Sequence, residues 1–117
     1  MQEIDPIYHN HFGISFQWQG IGPKHRGKVQ VVFRDMGLLL TQEELLQFSR
    51  NIKSIHEGGP NGCGHCSHKD NCRSLLLETP APQVSLVVNS KELSAIDDLI
   101  EGTLFQLRLD QLLEGLL

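Results

Sequence analysis

Ten residues near the middle of the chain hold all three of its cysteines. Cys63 and Cys66 form a Cys-x-x-Cys pair, and Cys72 follows six residues later. Such a pair brings two thiolates close enough to bind one small ion, and three cysteines with one histidine are an established ligand set for structural zinc. His68 lies beyond the pair and has more freedom to turn towards the ion than His65, which lies inside it. The sequence therefore predicts a zinc site made of Cys63, Cys66, Cys72 and His68, with His65 as the alternative imidazole.

The same cysteines are also compatible with other chemistry. Three thiolates suit an iron–sulfur cluster, and free thiols in a glycine-rich loop need no ligand at all. The tetrapeptide Cys63-Gly64-His65-Cys66 also resembles the active site of protein disulfide isomerases, in which the histidine lowers the pKa of the first thiol. That motif follows a strand and begins a helix, whereas here a predicted helix precedes it. A thiol/disulfide redox protein that uses Cys63 and Cys66 is therefore the alternative to a zinc protein.

Two smaller groups of polar residues are interpreted as solvated. His9 and His11 lie two residues apart and would share one face of a strand, but such a pair is ordinarily solvated. A basic cluster at Lys24–Lys28 has the charge to contact a phosphate. One cluster of this kind in a chain of net charge −4 does not make a nucleic-acid surface. We therefore expect no nucleic-acid partner.

The composition is that of an ordinary globular chain of 117 residues. Its length fits one domain, and its hydrophobic fraction of 39% excludes a disordered or collagen-like chain. No apolar run approaches the roughly 20 residues that span a bilayer, and residues 1–5 do not form a secretory signal. An odd number of cysteines in one short segment argues against a disulfide framework. We expect a single cytoplasmic domain, residues 1–117, without membrane association.

Local patterns predict the elements that hold these loops in place. Apolar and polar residues alternate over Phe12–Trp18, which is typical of a half-buried strand. Val29–Phe33 and Leu38–Leu40 are predicted to follow it as further strands of an antiparallel meander. Thr41 and Glu44 have the spacing of a capping box. Apolar residues at helical spacing then predict a helix over about 42–56.

The same order of patterns recurs 48 residues later. Strands are predicted over Ser74–Glu78 and Val84–Val88, and Asn89 and Glu92 repeat the capping-box spacing before a second amphipathic helix. Two tandem strand-strand-helix units, about 28–57 and 74–103, are thus predicted, joined by the cysteine–histidine loop 58–73. One antiparallel sheet with helices packed on one face would bury both helices, so the predicted fold class is α+β.

The end of the chain is predicted to leave the second helix. Gly102 is expected to weaken or end that helix, and the alternation over Phe105–Leu109 predicts a short strand. A terminal helix is predicted from residues at helical spacing, namely Leu109, Leu112, Leu113 and Leu116. Such a helix either packs on its own core or forms the seam of a homodimer, because large exposed apolar patches usually mark interfaces.

The residues Val29–Leu40, Thr41–Leu45 and Lys91–Ile100 resemble a family of small bacterial proteins of the Bacteroidetes lineage, a domain of unknown function. The resemblance implies a bacterial, cytosolic, single-domain protein, and it implies no particular activity. Its strand and cap patterns cover most of the chain.

Taken together, these patterns predict a non-catalytic protein-interaction domain with a zinc site, whose partner is another protein or a second copy of the chain. No serine–histidine–aspartate order, paired-carboxylate site or phosphate-binding loop is recognisable in the sequence. A thiol redox protein is the second hypothesis, and a small-molecule-binding or enzymatic domain that uses the sheet face is the third.

Overall fold

The computed structural model describes residues 4–19, 27–57 and 75–116, and it has the predicted α+β class. Six strands and two helices follow one another in these ranges. Their bounds are β1 Ile4–His9, β2 Gly13–Trp18, β3 Val29–Phe33, β4 Met36–Leu40, α1 Gln42–Glu57, β5 Leu75–Glu78, β6 Ser85–Val88 and α2 Ser90–Leu116. Five of the predicted strands, from Phe12 to Val88, and the first helix are confirmed to within two residues, whereas β1 was not predicted.

The first four strands form an antiparallel meander in the order β1-β2-β3-β4. Asn10 makes the first turn, because its side-chain oxygen accepts hydrogen bonds from the backbone N–H groups of Phe12 and Gly13 at 2.8 and 3.0 Å. This is the local bonding that favours asparagine in turns. In the register of β2 and β3, Ser15 lies opposite Val31, and both side chains are buried.

Strands β5 and β6 pair only with each other in the described part of the chain, as a second, two-stranded sheet. Leu77 lies opposite Leu86 in this hairpin, and both side chains are buried. The neighbouring pair of Leu76 and Val87 points the other way and is exposed. The prediction of one continuous sheet is therefore wrong, because the strands form two sheets that share a core. The two tandem units stay a prediction from the sequence.

Both predicted capping boxes are confirmed by hydrogen bonds. The Thr41 N–H donates to Glu44 Oε1 at 2.9 Å, and the Glu44 N–H donates to Thr41 Oγ1 at 3.2 Å. At the start of α2, Asn89 and Glu92 make the same reciprocal pair at 3.0 and 2.7 Å. Each box provides partners for backbone N–H groups at a helix start, and so it determines where the helix begins.

The helices bury the predicted apolar faces against both sheets. Leu45, Phe48 and Ile52 of α1 are fully buried, and so are Ile96 and Ile100 of α2. They join one core with side chains from β3, β4, β5 and β6, namely Val29, Val31, Phe33, Leu40, Leu77, Leu86 and Val88. Burying an aliphatic or phenylalanine side chain is worth roughly 1.5–3 kcal/mol, so this shared core holds the two sheets together.

The two helices are also joined by polar contacts and run antiparallel. Ser49 Oγ of α1 donates a hydrogen bond to Glu101 Oε1 at 2.5 Å, and Lys53 Nζ lies 3.0 Å from the same oxygen. Further along, Gln111 of α2 donates to Gln42 at the start of α1 at 3.0 Å. The Ser49 hydrogen bond, with the charge of Lys53, lowers the pKa of the Glu101 carboxyl despite its partial burial.

Arg34 links the two sheets from the turn between β3 and β4. Its backbone φ of 54° lies in the left-handed region, which is unfavourable for most residues other than glycine. The guanidinium lies 2.5 Å from Glu92 Oε2 and donates to the carbonyl of Val87 at 3.4 Å. It also lies 5.9 Å from the centre of the Phe12 ring. These contacts from three elements fix the turn in spite of its backbone conformation.

Helix α2 is continuous over 27 residues, from Ser90 to Leu116. The prediction that Gly102 ends this helix is wrong, and so is the strand predicted over Phe105–Leu109. The alternating residues occupy two faces of one helix, because Leu107 packs against the core while Phe105 and Leu109 are exposed. Gly102 has a packing role instead: a Cβ atom there would lie closer than 3.0 Å to the Tyr8 ring.

Candidate functional site

The predicted zinc ligands Cys63, Cys66, His68 and Cys72, like the alternative ligand His65, lie outside the described residues. Within 4–19, 27–57 and 75–116, no three His, Cys, Asp or Glu side chains come together as a metal site requires. The zinc site and the redox alternative therefore stay predictions from the sequence.

An open cleft of about 430 Å³ lies between the β1–β2 turn and the first turns of α2. Its lining is contributed by two parts of the chain that are some 80 residues apart. The lining residues are Asn10, His11, Ser90, Lys91, Ser94, Ala95 and Asp98. His11 therefore lines this cleft, whereas His9 is an exposed residue of β1.

Asp98 is the centre of the hydrogen bonds on one side of this cleft. The Tyr8 hydroxyl donates to its carboxylate, at 3.0 Å to Oδ2, and the Asn10 side-chain amide donates to Oδ2 at 2.9 Å. The same amide nitrogen also lies 2.9 Å from the carbonyl of Ala95. The hydrogen bond to the Asp98 carboxylate raises the pKa of Tyr8, because the carboxylate favours the protonated phenol.

This arrangement anchors the first hairpin on α2. Both carboxylate oxygens of Asp98 accept hydrogen bonds from the hairpin, from Tyr8 and from Asn10. In the cleft, no hydrogen bond between described residues joins Ser90 or Ser94 to His11. Its lining is best explained by packing of the hairpin on the helix.

The most exposed apolar surface of the described chain lies at the end of α2. Phe105 is 65% exposed, Leu112 63%, Leu113 50% and Leu109 36%. At about 100° per residue, these four side chains lie within roughly one third of the helix circumference. We call this set of four residues the C-terminal stripe. The predicted helical spacing of Leu109, Leu112 and Leu113 is confirmed, but these leucines do not pack on their own core.

The C-terminal stripe continues a face of α2 that is covered nearer the helix start. Asp98 and Gly102 precede Phe105 by seven and three residues, and this spacing places all three on one side of the helix. Tyr8 covers that side, since its ring packs on Gly102 and its hydroxyl binds Asp98. Strand β1 thus covers the half of this face that is nearer the helix start, and the stripe is the exposed half.

The opposite side of the same helix end is supported by α1. Gln111 binds Gln42, and Leu107 packs against the core. Both residues lie on the side of α2 away from the stripe. The stripe is therefore presented on a helix whose opposite side contacts α1 and the core.

A second, smaller apolar patch lies on the outer face of the β5–β6 hairpin. Leu76 is 57% exposed and Val87 50%, and they lie directly opposite each other in the register. Val84, just before β6, is 37% exposed. This patch is smaller and is interrupted by Glu78 and Ser85, which share a hydrogen bond on the same face. It serves as a matched control surface for the stripe.

Tyr8 and Asn10 were not singled out by the sequence analysis. Their contacts join residues separated by 85 to 90 positions, and no local pattern reports such pairs. The only local signal was Asn10 followed three residues later by Gly13, which is typical of a turn. A turn at Asn10 would have indicated a further strand, β1, ahead of β2.

No helix in the described ranges is long and apolar enough to cross a membrane. Comparisons of the chain with protein-family models, with curated proteins and with solved structures find no match.

Proposed function

We propose that this protein is a non-catalytic interaction domain that forms a homodimer through the C-terminal stripe. The observation that supports the proposal is the exposure of four large apolar side chains on one supported helix face. Apolar patches of this kind are uncommon on monomers unless they mark an interaction site. Aromatic side chains such as that of Phe105 are also enriched at interface cores.

The size of the stripe predicts a weak dimer. Standard interfaces bury about 800 Å² per partner, and four partly exposed side chains provide less than that. Association also costs several kcal/mol of translational and rotational freedom. We therefore expect a dissociation constant in the micromolar range or weaker, measurable by sedimentation equilibrium at increasing protein concentration.

Leu112→Gln tests the proposal. Because 63% of Leu112 is exposed in the monomer, burying it in both copies is worth roughly 2–4 kcal/mol. The variant should therefore raise the dissociation constant by about thirtyfold or more. Its thermal stability should stay close to that of the parent, since the side chain contributes little to the monomer core.

Leu76→Gln is the matched control, because it replaces a similarly exposed leucine on the other apolar patch. It should leave the dissociation constant unchanged. A protein that stays monomeric to millimolar concentration, or an equal effect of both substitutions, would contradict self-association through the stripe. If the protein stays monomeric and binds a different protein through the stripe, that protein replaces the second copy as the partner.

The zinc site at Cys63, Cys66, Cys72 and His68 remains part of this proposal. Its support is the spacing of the cysteines and the histidine in the sequence. The cytosolic location that the sequence predicts would keep the thiols reduced. The thiol redox protein is the alternative, and it would require a reversible disulfide between Cys63 and Cys66.

Two broader predictions also stay open. The 48-residue offset between the two capping boxes, at Thr41 and Asn89, supports two tandem strand-strand-helix units. The same strand and cap patterns support the resemblance to the Bacteroidetes family. Neither prediction changes the residues assigned to the interface.

A further inference from the structure

We infer that strand β1, Ile4–His9, is a strap that opens from the folded body while the other described elements stay in place. It is an edge strand of the four-stranded sheet and pairs with β2 alone. Its other main neighbour is α2. The opening is a property of a single chain, and so it is independent of the proposed self-association.

Strand β1 buries little apolar surface against the body. None of its six residues, all of them described, is fully buried, and only Ile7 and Tyr8 are half-buried. In the inner strand β3, by contrast, Val29, Val31 and Phe33 are almost completely buried. Segments with few buried apolar contacts are those that open at the lowest free energy. We therefore expect β1 to open more readily than β3.

The pairing of β1 with β2 is also interrupted. Pro6 has no backbone N–H to donate to the neighbouring strand. The register with β2 shifts between Pro6 and Tyr8, so that Ile7 has no partner residue opposite it, as in a β-bulge. The Tyr8 hydroxyl donates to Asp98 at 3.0 Å, but this contact is exposed. Water can therefore replace it when the strand leaves.

Opening of β1 leaves the buried hydroxyl groups next to it with partners. Ser15 of β2 and Thr103 of α2 are fully buried, and their hydroxyl oxygens lie 2.6 Å apart. Because Thr103 donates to the carbonyl of Leu99 at 2.6 Å, its oxygen accepts from Ser15. The contact of Ser15 with the Tyr8 carbonyl is longer, at 3.3 Å, and it is the only one of these three that opening breaks. The cost of an unpaired buried group is thus avoided.

The hinge of the strap lies between His9 and Asn10. The side-chain amide of Asn10 donates to the carbonyl of Ala95 at 2.9 Å, which keeps Asn10 on α2. The Phe12 ring then stacks on the ring of the buried Phe33, with the ring centres 5.8 Å apart. The β1–β2 turn is therefore fixed to the body, whereas the chain ahead of it is held by the half-buried and exposed contacts of β1.

The strap controls access to two surfaces. In the closed state, β1 pairs with β2, and the Tyr8 ring covers Gly102 of α2. In the open state, β2 becomes an edge strand with unpaired backbone groups, which is the kind of edge that accepts another strand. The free energy of opening, which is lower than that of unfolding, therefore determines how often these surfaces are accessible.

Native-state hydrogen exchange of the full chain tests the strap. Exchange would be followed residue by residue by NMR at low urea concentrations, under conditions where the rate reports the opening equilibrium. The protected amides of β1 should exchange with a lower free energy than those of β3. They should also depend less on urea, because opening of one strand exposes little surface.

Ile52→Val separates opening of the strap from unfolding of the body. Ile52 is fully buried in α1, whereas the main neighbours of β1 are β2 and α2. The substitution should accelerate exchange in β3 by about two- to tenfold. Exchange in β1 should be unchanged, because the body is folded in both the closed and the open state.

Tyr8→Phe is the matched control, since it removes the hydroxyl that binds Asp98. It destabilises the closed state relative to both the open and the unfolded state, so it should accelerate exchange in β1 and β3 by the same factor. Equal acceleration of both strands by Ile52→Val would overturn the strap, and so would a β1 that exchanges with the free energy and urea dependence of β3. Either result would leave self-association intact, because sedimentation measures that separately.

Discussion

Replacing Gly102 by alanine should destabilise this protein, although alanine is the better helix former. Inside an unobstructed helix, glycine to alanine is worth about 1 kcal/mol of stability. At position 102, however, the new Cβ would lie closer than 3.0 Å to three atoms of the Tyr8 ring. Carbon atoms in favourable contact lie about 3.5–4.0 Å apart, so the ring or the helix has to move.

The expected magnitude follows from these opposing effects. Overpacking a filled site costs typically about 1–3 kcal/mol, and movement of the ring also displaces the hydroxyl from Asp98. Net of the gain of about 1 kcal/mol in helix propensity, Gly102→Ala should lower the free energy of unfolding by up to roughly 2 kcal/mol. Urea denaturation followed by the fluorescence of Trp18, the single tryptophan, measures this as a lower midpoint at an unchanged slope.

Two further variants separate packing from propensity. Gly115 lies in the same helix, and a Cβ there would meet nothing within 4 Å, so Gly115→Ala should be neutral or stabilising. In a Tyr8→Ala background the obstructing ring is gone, and Gly102→Ala should then stabilise the fold. If Gly102→Ala stabilises the otherwise unchanged protein, the packing explanation for this glycine is wrong.

Three other predictions concern titration and metal content. The hydrogen bond to Asp98 raises the pKa of Tyr8, the single tyrosine. Absorbance titration should therefore show that Tyr8 ionises at higher pH in the folded protein than in urea. The stability that this bond contributes is present at neutral pH and is lost as pH rises through the folded pKa. Asp98→Asn should lower that pKa, and equal titration of variant and parent would contradict the assignment. Because folding lowers the pKa of Glu101, the stability that this carboxylate contributes is present at neutral pH and is lost as pH falls through the folded pKa. Glu101→Gln should therefore flatten the acid side of the curve of unfolding free energy against pH. An unchanged acid side would contradict this role of Glu101. Protein purified without chelators should contain one zinc ion per chain by elemental analysis, and the Cys63→Ser and Cys72→Ser variants should each lack it. A metal-free parent protein would contradict the zinc site.

Elements with strong local signals were predictable. The capping boxes at Thr41 and Asn89 depend on residues three positions apart, and both form as the sequence predicts. The buried faces of α1 and α2 depend only on helical periodicity. In contrast, β1 carries Pro6 and polar residues at exposed positions, so its apolar alternation is too weak to reveal it.

The end of α2 was mispredicted because two periodicities coincide there. Phe105, Leu107 and Leu109 alternate as a strand would, yet they also fit two faces of one helix. Gly102 strengthened the error, since an isolated glycine usually signals weakness in a helix. The reason for that glycine is Tyr8, which lies 94 positions earlier in the chain.

The sequence by itself determined the α+β class, the positions of most elements, the helix starts and the apolar faces that form the core. These follow from interactions within a few residues, which a single segment carries wherever it is placed. Only the tertiary structure decided that the strands divide into two sheets, that Tyr8 and Asn10 fasten the first hairpin to Asp98, and that Phe105, Leu109, Leu112 and Leu113 remain exposed. Whether an apolar residue is buried depends on what packs over it. For α2, that depends on how far β1 extends along the helix, and no pattern within the helix contains that information.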